Sequence, residues 1–267
     1  MTTLRVFVDG VAFWAPALPG WPLARAALRG EGGLAQPPAR RPAPEILAPA
    51  ERRRAPDSVA LALEVAAAAV REAGCGAAEL PSVFASAHGD LAVNDYMCAT
   101  LASQPAMISP TRFHNSVHNA AAGYWTIATG CVAASSALSA FEHSFAAGLL
   151  EAATQCLADG GPILLVAFDV QSAGALATVT KSEGLLAAAF VLAPARGERT
   201  QAAFDLTLVN GATAPVPLRS KAAQTLRDNA MADMLPFVEA LALAAPDPLD
   251  LPLSGRLALR VAPLPLL

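Results

Sequence analysis

The 267-residue sequence predicts a layered α/β fold with buried helices. Two observations support this prediction. Segments of strand length alternate along the chain with segments whose apolar residues repeat at helical spacing. In addition, the run PILLVAFD at 162–169 is almost continuously apolar, which is typical of a strand that is covered on both faces.

The first elements are a strand and a long helix. The strand is VFVDGVAFW at 6–14, and the proline-, glycine- and arginine-rich stretch 15–49 predicts an irregular segment after it. A helix then runs through SVALALEVAAAAVREAG, where Asp57 and Ser58 can cap the start and Gly74 ends the helix. Its predicted buried face carries Val59, Leu63, Ala66 and Val70.

The middle of the chain is predicted to continue the alternation of strands and helices. LPSVFASAHGD at 80–90 is typical of a buried strand that leaves into a loop, and a helix is expected from Leu91 to Ala102. In SFAAGLLEAATQCLADGG, apolar residues repeat at helical spacing until Gly160 and Gly161 end the helix.

The last third predicts two strands, a helix and a strand. AAAFVLAP at 187–194 and AAFDLTLVN at 202–210 are predicted to be neighbouring strands. The segment AAQTLRDNAMADMLPFVEALALAA predicts one helix, and GRLALRVAP predicts a final strand.

Composition limits the partners and the compartment. Hydrophobic residues make up 54% of the chain and charged residues 15%, so a large apolar interface with another subunit is expected. The net charge of -4 without a basic stripe excludes nucleic acid. Four cysteines without a C-x-x-C pair indicate neither a zinc site nor a disulfide framework, and the N-terminus lacks the long apolar core of a signal peptide. Both observations favour the cytoplasm.

One uncharged stretch, residues 120–141, has the length of a membrane span. It contains serine, threonine and glycine, however, and lacks basic flanks. We therefore predict a buried helix, a break and a buried strand here, and no membrane span.

Four segments together resemble the ketosynthase (thiolase-like) family. They are REAGCG, VFASAHGD, PTRFHNSVHNAAAGYWTIATG and FAAGLLEAATQCLADGGPILLVAFD. SVHNAAAG, with Asn119 and Gly123 as its motif residues, and SFAAGLLEA resemble more closely the short chain-length-factor proteins of aryl polyene and related type II polyketide systems. The resemblance implies a thiolase-like α-β-α fold. It also implies a largely intact N-terminal half, residues 1–194, and a shortened C-terminal portion, residues 195–267, that packs on the same core.

The resemblance also locates the position of the catalytic cysteine. In ketosynthases a thiolate holds the acyl chain at the turn before a buried helix, assisted by an oxyanion hole and two histidines. Counting from Gly130 places Glu142 at the cysteine position, and counting back from the strand at 163–169 places His143 there. We therefore expect a degenerate elbow of Glu142, His143 and Ser144, and no catalytic residue.

The two helper histidines belong to the C-terminal half of the family. No histidine follows Pro194 in this chain, and the four histidines are His88, His114, His118 and His143. The nucleophile and both helper positions are therefore expected to be lost together.

Several residues leave alternatives open. Cys131 is either a packed core thiol or a substitute nucleophile. His114 and His118 either bind a metal or make structural hydrogen bonds, and a Ser116–His118 dyad lacks a G-x-S-x-G elbow. Glu142 is either a carboxylate that the helix dipole stabilises at the N-terminus or a residue that shapes the degenerate pocket.

The function implied by the resemblance is that of a silent partner. Such a chain pairs with an active β-ketoacyl-ACP synthase as a heterodimer, contacts acyl carrier protein through the complex and needs no cofactor or metal. It would shape the acyl tunnel in polyene, polyketide or fatty acid biosynthesis, and residues 125–139 would face the partner. The alternatives are a stand-alone acyltransferase or thioesterase that uses Cys131 or Ser144, and a purely structural scaffold.

Overall fold

The computed structural model describes residues 3–211 and 215–266. Within these ranges nine strands form one mixed sheet between two layers of helices. The strands are β1 (Leu4–Ala15), β2 (Leu18–Pro19), β3 (Ser82–Ala85), β4 (Ser135–Leu138), β5 (Ile163–Asp169), β6 (Leu186–Ala193), β7 (Ala202–Asn210), β8 (Leu249–Ser254) and β9 (Leu257–Leu264). The α-helices are α1 (Trp21–Leu28), α2 (Pro49–Arg54), α3 (Asp57–Ala73), α4 (Leu91–Ser103), α5 (Pro110–His114), α6 (Ala120–Thr129), α7 (Ser144–Asp159), α8 (Lys221–Gln224) and α9 (Leu235–Leu243).

The order of the strands places the candidate site at one edge of the sheet. The order is β4-β3-β5-β6-β1-β7-β9-β8, and β2 pairs with the end of β1. β3 runs parallel to β4 and β5. The carboxyl ends of these three strands therefore meet, and the loops that follow them lie together. β4 is an edge strand, because its outer side has no strand partner in the described part of the chain.

The apolar side chains of the sheet belong to two cores, one on each face. In β5, Ile163 and Leu165 belong to the core that includes α1, α7 and α9, whereas Leu164 and Val166 belong to the core that includes α3 and α6. Successive side chains of a strand point to opposite faces, so a strand covered on both sides needs apolar residues throughout. The predicted layered α/β fold is confirmed.

The helix α3 ends as predicted but begins differently. Gly74 ends it with a φ of 67°, in the left-handed region that glycine adopts without strain. The predicted cap by Asp57 and Ser58 is wrong, because Pro56 is the N-cap residue and no side chain caps the first turn. The Ser58 hydroxyl donates instead to Asp90 Oδ2, 2.9 Å away.

The predicted pairing of β6 with β7 is also wrong. Both strands pair with β1, which lies between them in the sheet. Phe7, for example, is opposite Ala193 on one side and Ala203 on the other. β1 is buried on both faces near its end, and its two edges pair with different strands, β6 on one side and β7 on the other.

The single helix predicted for residues 222–245 is interrupted. α8 ends at Gln224, and α9 begins only at Leu235 after a short 3₁₀ turn. The Asn229 amide donates to the Glu183 carbonyl at 2.9 Å and accepts the Met231 N–H at 3.0 Å. A buried side chain that bonds to the backbone in this way favours a turn over a continuing helix. Pro236 then fits the first turn of a new helix.

The remaining differences lie in shorter elements. Residues 15–49, predicted as irregular, contain α1, and β8 forms a hairpin with β9 that the sequence did not predict. Residues 120–141 form a helix, a left-handed Gly130 and the strand β4, but β4 is partly exposed because it lies at the edge. Within the described ranges, no helix is both long enough and apolar enough to cross a membrane.

Candidate functional site

The candidate site is the turn between β4 and α7. β4 ends at Leu138, a 3₁₀ turn covers Phe141–His143, and α7 begins at Ser144. Phe141 has a φ of 54°, a left-handed conformation that costs a residue with a Cβ atom about 1 kcal/mol. Strain of this kind concentrates at functional turns. It falls here one residue before Glu142, the first of the two positions predicted for the lost cysteine.

The hydroxyl of Ser144 stabilises this turn. It accepts the Ala140 N–H at 3.0 Å and donates to the Phe141 carbonyl at 2.7 Å. Ser144 is fully buried. Its hydroxyl is therefore committed to the backbone of the strained turn, and it holds Phe141 in place.

Glu142 and His143 form a loose, exposed pair. The Glu142 side chain is 74% exposed and that of His143 is 24% exposed, and Glu142 Oε1 lies 3.8 Å from His143 Nε2. Such a pair contributes at most about 1 kcal/mol. Because Glu142 remains in solvent, it does not incur the desolvation cost that a buried carboxylate would have at this position.

The first turn of α7 faces a carboxylate from the far end of the chain. The Phe145 N–H donates to Asp233 Oδ2 at 2.9 Å, while Asp233 Oδ1 is buried without a partner in the described residues. Burial, with a smaller contribution from Asp169, raises the pKa of Asp233 to about 8. An oxyanion would need the same donors and the same positive end of the helix dipole. Asp233 therefore occupies the place where such an anion would be stabilised.

Asp169, the last residue of β5, is a second buried carboxyl group of the site. It accepts the Ser86 hydroxyl at 2.7 Å and the Ala87 N–H at 2.8 Å. Burial raises the pKa of Asp169 to about 6 even though these hydrogen bonds favour its ionised form. The Ala87 carbonyl in turn accepts the Ser139 hydroxyl at 2.9 Å. This network ties the ends of β3 and β5 to the residue after β4.

Sequence reasoning identified neither Asp169 nor Asp233. A signal for Asp169 was present, because a carboxylate that directly ends a fully apolar strand must find partners in a buried environment. No local pattern marks Asp233, which reaches the elbow only through the packing of the segment before α9.

The two histidines of the FHNSVH stretch have separate structural contacts. His118 Nε2 lies 2.9 Å from the Ser86 carbonyl, and the His114 ring packs edge-on against Tyr124. In the described part of the chain, no group of histidine, cysteine and acidic residues could hold a metal ion. His118 thus makes the structural hydrogen bond of the second alternative, whereas His114 makes a ring contact.

The two motif residues lie at the start of α6. Asn119 precedes the helix without a side-chain cap, and a Cβ atom added to Gly123 would meet no atom within 4 Å. Ala120, Ala121 and Ala122 are buried, whereas Gly123 has open space beside it. Gly123 instead lines an open cleft of about 480 Å³ between α6 and β4.

Cys131 lies away from the elbow. It is buried, it follows the left-handed Gly130 that ends α6, and its Sγ lies 3.5 Å from the Leu80 carbonyl. Of the two alternatives that the sequence left open, this environment favours the packed core thiol.

Comparisons with known proteins identify the family of the chain. The sequence matches the family model for the β-ketoacyl synthase N-terminal domain over residues 28–246. The match covers most of the chain, so the chain belongs to this family. No curated protein matches the sequence.

Solved structures extend the likeness to the whole chain. A chain of the ketosynthase ApeO in complex with its chain length factor ApeC, from Xenorhabdus doucetiae, has a TM-score of 0.73 at 22% identity; 97% of this chain and 99% of that chain are covered. A chain of the ishigamide ketosynthase/chain length factor has a TM-score of 0.71 at 14% identity, with 98% and 100% covered. A chain of the complex AntDE:AntF, a type II acyl carrier protein with its ketosynthase, has a TM-score of 0.70 at 12% identity, with 98% and 100% covered. The thiolase-like fold predicted from the sequence is confirmed.

Proposed function

We propose that this chain is a catalytically silent, chain-length-factor-type subunit. It pairs with an active β-ketoacyl-ACP synthase in the cytoplasm and shapes the acyl tunnel in polyene, polyketide or fatty acid biosynthesis. The observation that carries the proposal is the elbow, where Phe141, Glu142 and His143 stand at the turn and Asp233 faces the first turn of α7.

Decarboxylative condensation has chemical requirements that this elbow does not meet. It needs a thiolate at the turn and free donors for the enolate oxygen that develops during decarboxylation. The Asp233 carboxyl group accepts the Phe145 N–H and so occupies a donor that an oxyanion at this helix terminus would need. The stand-alone acyltransferase or thioesterase is less favoured, because Cys131 is buried away from the turn and Ser144 is bonded to the backbone.

The surface around β4 supports pairing with another subunit. Near the exposed edge of β4, Ile127 is 73% exposed, Val132 is 96% exposed and Phe141 is 57% exposed. Exposed apolar residues beside an unpaired strand edge are typical of a surface that a partner covers. Within the predicted interface, residues 125–139, Trp125 itself is fully buried and supports the surface from inside.

The cleft beside Gly123 supports a role in shaping a tunnel rather than scaffolding alone. It opens between α6 and the edge strand β4, next to the apolar residues that the partner would cover. A partner that pairs with β4 would cover the open side of this cleft. The side chains of α6 would then form part of the wall of a shared cavity.

Co-purification with an active ketosynthase from the same organism tests the pairing. We expect Ile127→Glu and Val132→Glu to weaken co-purification about tenfold or more, because each places a charge in an apolar contact. Val179→Glu is the matched control, because Val179 is 75% exposed and lies after β5, outside 125–139. Equal pairing of all three variants with the wild type would contradict the proposed surface.

An acyl-loading experiment tests separately whether this chain is catalytically silent. The complex is incubated with acyl-loaded carrier protein, and the acyl adducts are located by mass spectrometry. We expect adducts on the cysteine of the partner and none on this chain. An adduct on Cys131 or Ser144 of this chain would overturn the proposal of a silent subunit and favour the acyltransferase or thioesterase.

A further inference from the structure

A larger cavity lies apart from the elbow. Its volume is about 750 Å³, and it is bounded by the N-termini of α3 and α4, by α5 and by the loop after β5. This volume lies within the range of small-molecule sites, roughly 300–1,000 Å³. Part of its wall is apolar, with Pro16, Val170 and Leu185, and its lining also includes exposed arginines. We call this cavity the arginine cleft.

Three arginines line the arginine cleft: Arg40, Arg54 and Arg112. The Arg112 guanidinium carbon lies 4.2 Å from the centroid of the Tyr96 ring. This contact orients the guanidinium and leaves its N–H edges available. Within residues 3–211 and 215–266, Arg40 and Arg54 make no hydrogen bond and no ion pair through their side chains.

The wall of the cleft also holds a polar group without a partner. Asn115 lines the cleft and is only 5% exposed, and its Oδ1 is buried without a hydrogen bond in the described residues. A buried amide without a partner costs free energy, because it loses its hydrogen bonds to water. A ligand that carries a hydroxyl group would remove this cost.

The acidic residues of the cleft do not cancel its positive charge. Asp57 is paired with Arg41 at 3.0 Å. Asp90 accepts the Val93 N–H at 3.0 Å and the Ser58 hydroxyl at 2.9 Å, and it forms no ion pair with any residue that the structure describes. Three guanidinium charges against one such carboxylate leave an excess of two positive charges.

The N-terminus of α3 adds to this field. α3 has 17 residues, its N-cap residue Pro56 has no side chain that could accept the first N–H groups, and Pro56 and Asp57 line the cleft. The positive end of a helix dipole favours a bound anion.

We infer that the arginine cleft binds a small organic phosphate monoester. A phosphate dianion matches the excess of two positive charges, and its terminal oxygens can accept from several guanidinium groups. The organic part would lie against the apolar wall, and a hydroxyl group would reach Asn115. A carboxylate carries a single charge and two oxygens, and so satisfies this set of donors less completely. The inference is independent of the proposed function.

Isothermal titration of the full chain tests the inference. The probes are glycerol 3-phosphate, inorganic phosphate and butyrate, each at constant ionic strength. We expect saturable binding with one site per chain for glycerol 3-phosphate, weaker binding for inorganic phosphate, and butyrate weaker than glycerol 3-phosphate by about tenfold or more. The absence of saturable binding of both phosphate probes would overturn the inference, as would equal binding of butyrate and glycerol 3-phosphate.

Matched arginine variants locate the site. Arg54→Gln and Arg112→Gln should each weaken glycerol 3-phosphate binding by about tenfold, because each removes a charge-assisted hydrogen bond. Arg53→Gln is the control, because Arg53 is the neighbour of Arg54 on α2, carries the same charge and does not line the cleft. Unchanged binding in R112Q, or an equal loss in R53Q, would show that the phosphate binds elsewhere or only through net charge.

Discussion

The backbone N–H of Phe145 donates to Asp233 Oδ2 across 2.9 Å and joins two residues that are 88 positions apart in the chain. The elbow between β4 and α7 is therefore completed by a side chain from the segment before α9. Because Asp233 Oδ1 is buried without a partner in the described residues, this carboxyl group resists ionisation. The contact thus links the state of the elbow to pH.

Stability should depend on the protonation of Asp233. Its pKa is about 8 in the folded chain against an ordinary 3.8, so between these pH values the folded state holds a proton that the unfolded state has released. The free energy of unfolding therefore falls as the pH rises from about 4 to about 8. Asp169 acts in the same sense up to about pH 6, whereas His88, whose pKa is lowered by burial, acts in the opposite sense below about 6.5. Of these three groups, Asp233 is therefore the one that changes the free energy of unfolding between pH 6.5 and pH 8.

Urea unfolding at pH 6.5, 7.3 and 8 measures this effect. We expect the free energy of unfolding of the wild type to fall by up to about 1.4 kcal/mol per pH unit. Asp233→Asn should flatten this dependence, because the amide oxygen can still accept the Phe145 N–H but does not titrate. Asp228→Asn is the control, because its side chain is 62% exposed. A slope in D233N equal to that of the wild type would show that another group is responsible.

Long-range contacts such as that of Asp233 with Phe145 could not be predicted from the sequence. The helix α3 and the strand β5 were predictable because their patterns of apolar residues are local and regular. The insertion of β1 between β6 and β7 was not, because strand order depends on which sheet faces the whole chain can cover. The elbow was located from its family motif, but its strain at Phe141 depends on the hydrogen bonds of Ser144.

The interruption of the predicted C-terminal helix has a similar cause. The amide of Asn229 donates to the carbonyl of Glu183, 46 residues away, and this contact is invisible in the local sequence. Pro236 was the one local sign that a new helix begins there. Sequence patterns thus predicted the elements with regular periodicity, whereas the carboxyl and amide groups that shape the site act over long separations.

The strain at Phe141 predicts an order of stability among its variants. With a φ of 54°, Phe141→Gly should be at least as stable as the wild type, because glycine adopts the left-handed region without a steric cost. Phe141→Val should be less stable than Phe141→Gly by about 1–2 kcal/mol, because a β-branched side chain fits this region poorly. Chemical denaturation of the three proteins measures the order. A glycine variant less stable than the wild type would mean that the contact of the Phe141 ring with His88 outweighs the strain. A glycine variant less stable than the valine variant would contradict the strain itself.

Gly10 should tolerate no side chain. It lies at an irregularity in the pairing of β1 with β6, and a Cβ atom there would overlap Ala69 O and lie 2.9 Å from Ala73 N in α3. Because backbone atoms cannot move aside, Gly10→Ala should destabilise the chain by about 2–3 kcal/mol or more. Gly76→Ala is the matched control; a Cβ atom there meets nothing within 4 Å, so we expect a gain of about 0.4–1 kcal/mol. Calorimetric melting of both variants checks the contrast, and similar melting temperatures would contradict the close approach of α3 to β1.

Two substitutions of Gly123 should affect stability and pairing differently. It lies inside α6, and a Cβ atom there meets nothing within 4 Å, so Gly123→Ala should raise the free energy of unfolding by about 0.5–1 kcal/mol. Gly123→Trp should fold as well as Gly123→Ala but fill the cleft between α6 and β4, which the partner is proposed to cover. We therefore expect weaker pairing with the ketosynthase, or a shift in product length where the complex still forms, measured by co-purification and by mass spectrometry of the products. If G123W pairs like the wild type and leaves product length unchanged, the cleft lies outside the tunnel, and a purely structural scaffold becomes the better description of this subunit.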